Sequence, residues 1–185
     1  MKSNIGSIFR ENNLKRISQG DVLRDVAFSV GALNSNNSEE IRMLYLVVMS
    51  QECDLEHDFN ASQTNSENQD KLLEHILVCP AYPFESFVSG EHIQNSNRRD
   101  FRDKKNKQIN ILMNNDEYKR YHYLTKEDGT NLPPLVIDFK HYYTVPRGLL
   151  YQFIDNRVTS INELFREDLS RRFANFLARI GLPEL

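Results

Sequence analysis

LYLVVMSQECDLEH, Leu44–His57, holds two kinds of sequence side by side. Leu44 to Met49 is an unbroken apolar run with the length and β-branched content of a buried strand. Ser50, Gln51, Glu52, Cys53, Asp54 and His57 then crowd the point where that strand leaves the core. Groups at the end of a buried strand are held by a rigid scaffold, which is where binding and catalytic side chains are usually carried. The stretch therefore predicts a core strand and a candidate site together.

Upstream, Gln19-Gly20-Asp21 is a turn signal leading into a first strand over Val22–Val30. Gly31–Glu40 is rich in Asn and Ser and reads as a loop, and Ile41–Met49 is the second strand. Residues 1–18 are polar and predict a short helix or a loose arm. Downstream, Phe59–Asp70 is another Asn/Ser/Gln loop. His75–Tyr82 is a third strand, and Pro80 places its end at a sheet edge or a bulge. Residues 85–115 lose the strand pattern and read as a helical insertion. Tyr118–Leu124 alternates aromatic and polar residues, and Leu135–Phe139 is apolar. These predict a fourth and a fifth strand, with further strands over Tyr142–Val145 and Leu149–Ile154.

Near the end, Ser160 and Glu163 match the S-x-x-E capping box. Ile161, Leu164, Phe165, Leu169, Phe173, Phe176, Leu177 and Ile180 follow at steps of mostly three and four. This predicts a C-terminal helix over 160–181 with its apolar face on the sheet, stopped by Gly181 and Pro183. The expected organisation is one domain over 1–185. It comprises an arm (1–18), barrel strands (19–84 and 116–158), the insertion (85–115) and the helix.

The 185 residues suit one domain, and 11 Phe and 8 Tyr supply a core although only 39% of the chain is hydrophobic. No window approaches the roughly 18 apolar residues of a membrane span. The N-terminus lacks the apolar stretch of a signal peptide. The expectation is a soluble cytoplasmic protein without a membrane partner, in which Cys53 and Cys79 stay reduced. A net charge of −3 excludes a broad basic surface, so any nucleic-acid contact must come from a local patch.

The order strand, loop, strand, loop, strand, insertion, short strands, helix resembles the small SH3-like barrel of the MazF/PemK toxin family. The resemblance rests on Gly20-Asp21-Val22 ahead of the apolar strand YLVVMSQ, on ILVCPAYPFES, and on LVIDFKHYYTVPRGLL before a terminal helix. It implies the barrel fold and a toxin–antitoxin or bacterial and phage-linked defence setting. The family's ribonucleases use an Arg opening the second strand and a Thr or Ser after the Pro of the third. Arg42 opens the second strand here without the usual proline, and Ser86 lies six residues beyond Pro80. The SQECDLEH segment has no counterpart in the toxin motif, so the resemblance implies a fold more than an activity.

Three constellations are candidates for chemistry. Cys53, Asp54 and His57 form the first: a thiol nucleophile needs a nearby base, and a helical turn would place Cys53 and His57 on one face. Ser50 and Gln51 would then border the site as binding groups. The alternative is that Cys53 packs at the strand end and Asp54 caps a turn. A metal site from Cys53, His57, His75 and Cys79 is rejected. A regular strand separates His75 from Cys79 by roughly 13 Å, so no metal or cofactor is expected.

The second constellation is basic. Arg98, Arg99, Arg102, Lys104, Lys105 and Lys107, set against Asp100 and Asp103, net +4. With Lys119, Arg120 and Tyr118, Tyr121 and Tyr123 they would grip single-stranded nucleic acid by phosphate contact and stacking. The alternative is a solvated helix face. The third is His141 with Tyr142, Tyr143 and Arg147 beside Thr144, where an acid/base role competes with an aromatic cluster.

The sequence thus points to an α+β, mostly β domain. Its expected form is a partly open SH3-like barrel with a helical insertion and a packed C-terminal helix. Two functions fit: a non-catalytic binding or accessory module, with single-stranded nucleic acid or a protein as partner and an oligomer compatible with it, or a hydrolase, ribonuclease-like or thiol-dependent, using Cys53 and Asp54 with a histidine.

Overall fold

A computed structural model describes residues 6–31, 38–64, 70–92, 106–115, 117–127 and 130–178. In chain order the elements are β1 (Phe9–Arg10), β2 (Asp21–Gly31), β3 (Ser38–Val48), α1 (Glu52–Ser62), β4 (His75–Pro83), α2 (Phe84–Ser89), α3 (Asn106–Met113), β5 (Tyr121–Leu124), β6 (Leu135–Asp138), β7 (Tyr143–Pro146), α4 (Arg147–Tyr151), β8 (Arg157–Ile161) and α5 (Glu163–Leu177). The class is α+β with antiparallel pairing in every ladder described below. The chain divides into two compact units, Met1–Ala81 with His141–Asn162, and Tyr82–Lys140 with Glu163–Leu185.

The first unit is a sheet in the order β1-β8-β2-β3-β4, with β7 on β4. β2, β3 and β4 form a meander, and the late strand β8 returns to lie beside β2. Leu46 and Val48 of the opening stretch join Leu23, Val26, Ile76, Val78, Val145 and Leu150 in one buried cluster, which also takes Leu55 from α1. Gly20 makes the turn into β2 at φ +81°, where a Cβ would stand 3.1 Å from the Ile161 Cβ. Both the left-handed backbone and the approach of β8 require glycine there.

Four expectations fail in this unit. The arm is neither helical nor loose at its centre: Phe9 and Arg10 pair with Ile161 and Ser160. The loop expected over Gly31–Glu40 is shorter, since β2 includes Gly31 and β3 starts at Ser38, while Pro80 lies within a regular β3–β4 ladder opposite Leu46. The loop expected from Phe59 starts later, since α1 runs on to Ser62. The strand expected over Leu149–Ile154 is α4 followed by a single 3₁₀ turn, Ile154–Asn156. A short apolar run does not distinguish a buried strand from one helical turn.

The capping box also gives way. Ser160 is not an N-cap but a buried β8 residue opposite Asp21, and its hydroxyl donates to the Asp21 carboxylate. The same carboxylate accepts from the Ser18 N–H at 2.8 Å and Asn12 Nδ2 at 2.9 Å, and Arg157 Nη1 lies 3.3 Å away. Strand register therefore overrides a local motif that only sequence neighbours support. Ser160→Ala is expected to cost about 1.5–3 kcal/mol, the range for a hydrogen bond to a charged group. Urea unfolding checks it; a loss under half a kcal/mol would show that Asp21 does not depend on Ser160.

In the second unit β5 and β6 form a hairpin, Tyr121 opposite Asp138 and Leu124 opposite Leu135. Tyr121 and Tyr123 pack with Phe87, Leu112 and Val136, so α2 and α3 are held by one small core. On α5, Phe173 and Phe176 stack against Phe139 at ring distances of 5.3 and 6.0 Å, and Leu169 is buried. The predicted apolar face is narrower than expected: Leu164 is 70% exposed and Leu177 half exposed. Arg172 of α5 donates to the carbonyls of Asn115, Tyr118 and Tyr121. The Asn115 side chain clips both backbone groups of Tyr123, Oδ1 accepting its N–H and Nδ2 donating to its carbonyl.

Candidate functional site

β3 hands over to α1 through a short bridge. The Met49 and Ser50 N–H groups donate to the Leu77 carbonyl at 2.8 and 3.3 Å, and Ser50 Oγ accepts the Leu77 N–H at 2.9 Å. Ser50 thus prolongs the ladder by one residue with its side chain. Gln51 turns the chain as N-cap, its carbonyl accepting from the Leu55 N–H. Helix α1 then faces inward every three residues. Glu52 receives the Gln19 N–H and Arg16 Nη2, both at 2.7 Å. Leu55 enters the core, and Asp58, wholly buried, meets Arg147 Nε at 2.5 Å and the Leu73 N–H at 2.9 Å. Two carboxylates and one leucine therefore fix the helix against the arm, the core and α4.

The predicted trio lies on the outer face, with Glu56 and Asn60 also exposed. Cys53, Asp54 and His57 are all exposed, as is Gln51. Cys53 and His57 are one turn apart, four residues along α1, and so share a face. Cys53 Sγ lies 3.7 Å from Asp54 Oδ1 and 3.8 Å from Gln51 Oε1, two acceptors within weak reach of its single S–H. Cys53, Asp54 and Gln51 are thus close neighbours on an exposed face of the helix end. Cys79 is a buried residue of β4, and neither cysteine is in a disulfide. Among the described residues no three Cys, His, Asp or Glu side chains are grouped to hold a metal ion. With Cys53 outside and Cys79 inside, one thiol per native molecule is expected to react promptly with a maleimide and the second only on unfolding. Two prompt thiols, or none, would contradict this placement.

The basic constellation is divided. Arg98, Arg99, Arg102, Lys104 and Lys105 lie outside the described residues. Lys107 and Lys119 are exposed. Arg120 is committed to buried Asp138 through two bonds, Nε–Oδ1 at 2.8 Å and Nη2–Oδ2 at 2.7 Å. Tyr121 and Tyr123, expected as stacking platforms for bases, are buried core residues, and Tyr118 is half-buried. Alternation misled here because both faces of this short hairpin are covered. In the third constellation Arg147 is engaged by Asp58, Tyr143 packs edge-on against Phe28, and His141 is half-buried. Of the toxin-type positions, Arg42 stands exposed within β3 beside Glu40, and Ser86 lies in α2.

Sequence reasoning missed Asp58, Glu52, Arg16 and Arg147 as a set. The three-residue step of Glu52, Leu55 and Asp58 was a usable signal for the inward side of a helix. The partner of Asp58 lies 89 residues away and left no local trace. It also missed His122 and the environment of Asp21. Burial pushes the Asp21 carboxyl above its ordinary range, opposed by Ser160, Arg157, Ser18 and Asn12. Burial likewise raises the Tyr151 hydroxyl. The chain matches no known protein-family model and no curated protein.

Proposed function

We propose that this chain is a non-catalytic binding or accessory module built on a toxin-type, SH3-like barrel, with single-stranded nucleic acid as its partner. The strand order supports the barrel reading: a β2-β3-β4 meander with the last strand, β8, returning beside β2 after a 3₁₀ turn. The observation that carries the non-catalytic reading is the exposure of Cys53, Asp54 and His57 on the outside of α1. A nucleophile works best where water is excluded and the transition state is surrounded by fixed dipoles. An open helix face provides neither, but it suits contact with a partner. With Arg120, Tyr121 and Tyr123 committed to the fold, the basic run 98–107, net +4, carries the nucleic-acid reading by itself.

Fluorescence anisotropy with a labelled single-stranded RNA at low salt tests this. Saturable binding that weakens steeply with salt is expected, because phosphate contacts release condensed counterions. The R98E/R99E/R102E variant should abolish it. Absence of wild-type binding at low salt would remove nucleic acid as the partner. The hydrolase reading retains one favourable observation, the Cys53–His57 pair on a single helical face. RNA cleavage or ester hydrolysis that disappears in Cys53→Ala would make that reading the correct one.

A further inference from the structure

Arg147 is held unlike Arg120 and Arg16. Arg120 meets its carboxylate with two nitrogens. Arg16 gives Nη1 to the Ile17 carbonyl and Ser18 Oγ, and Nη2 to Glu52. Arg147 gives only Nε, to Asp58. Its guanidinium lies 4.6 Å from the Tyr151 ring centroid, and its backbone N–H is fixed on the Glu74 carbonyl at 2.9 Å. Nη1 and Nη2 meet no acceptor among the described residues, and the side chain is 25% exposed.

We propose that the Nη edge of Arg147 is a binding site for a singly charged oxyanion, a carboxylate or a phosphate diester. Two oxygens of such a group would each accept one N–H from the guanidinium fork, the geometry that distinguishes arginine from lysine. The fold has already ordered the side chain. Asp58 fixes Nε from within the core, and the Tyr151 ring fixes the plane, so little rotamer freedom is lost on binding. Asp58 also makes it tolerable to hold the cation there while leaving the outer edge open. The charge of the surroundings selects the ligand. Asp58 already balances the Arg147 charge, so a monoanion adds less uncompensated charge at this edge than a dianion would. The proposal uses no residue of the basic run 98–107, so either reading can fail without the other.

Acetate and dimethyl phosphate are the probes, titrated at constant ionic strength against a chloride control. The readout is the Arg147 Nε–Hε resonance in ¹H–¹⁵N spectra of the full chain. A saturable millimolar shift with acetate alone assigns a carboxylate ligand, with dimethyl phosphate alone a phosphodiester, and with both the shared chemistry. No saturable shift with either probe through tens of millimolar overturns the proposal. Arg147→Lys keeps the charge but loses the fork and should bind at least tenfold more weakly, followed through backbone amides of α4. Undiminished binding by a folded Arg147→Lys protein overturns it as well.

Discussion

Arg147→Ala is expected to lower the free energy of unfolding by about 3–5 kcal/mol, the cost of stripping a buried charge of its partner. Asp58 has no exposed surface, and Arg147 is the cation that meets it. The Leu73 N–H alone would remain to the carboxylate. The damage should spread along α1, because Asp58 and Leu55 fix its second turn while Glu52 fixes its first. The D58N/R147Q double variant removes both charges but keeps a polar pair of similar size. It should recover more than half of the loss, since what hurts is the unpaired ion and not the absence of a salt bridge. Urea unfolding of the wild type, D58N, R147Q and the double variant gives the full cycle, with Arg147→Ala measured beside it. An Arg147→Ala loss below 1 kcal/mol would mean that Asp58 finds another way to be satisfied.

What could be read in advance depended on how local the cause was. Ile41–Met49 and Leu135–Phe139 were legible because four or more apolar β-formers in a row leave few alternatives; β6 falls where expected, and β3 covers its run but starts at Ser38, inside the stretch read as a loop. The terminal helix was legible in Leu169, Phe173 and Phe176, which do pack. Its start was not: Ser160 obeys its partner Asp21, 139 residues away, and the helix begins at Glu163. β1 escaped notice for the same reason, since Phe9 and Arg10 are strand only through pairing with β8. For the site, SQECDLEH correctly located a strand end held by the core, but not which side chains turn inward. That division follows from the 3.6-residue period once α1 exists. The half of the chemistry contributed by Arg16 and Arg147 comes from distant segments that carry no motif.

The pH dependence of stability should carry the mark of one residue, His122. It sits in β5 between Tyr121 and Tyr123, facing Phe139 at 6.3 Å between ring centroids. It is buried, and its Nδ1 meets no hydrogen-bond partner among the described residues. Burial, helped by the charge of Arg172 and opposed by Asp168, lowers its pKa from 6.5 to about 3. In the unfolded chain the imidazole takes its proton near 6.5, so between those values the unfolded state binds more protons. Stability is therefore full above pH 6.5 and falls as the pH drops towards 3, by about 2 kcal/mol at pH 5. Asp21 acts in the opposite sense, because its raised carboxyl favours the folded state as pH falls, so the total profile mixes the two. His122→Phe isolates the histidine. The variant should match or exceed wild-type stability at pH 7, since it removes a buried polar atom without a partner. Between pH 7 and pH 5 its stability should decline less than that of the wild type by about 2 kcal/mol. Urea midpoints measured across that range decide it. Parallel profiles would show that the imidazole is hydrated or protonated in the folded protein, and a large loss at pH 7 would show that its ring nitrogens are satisfied.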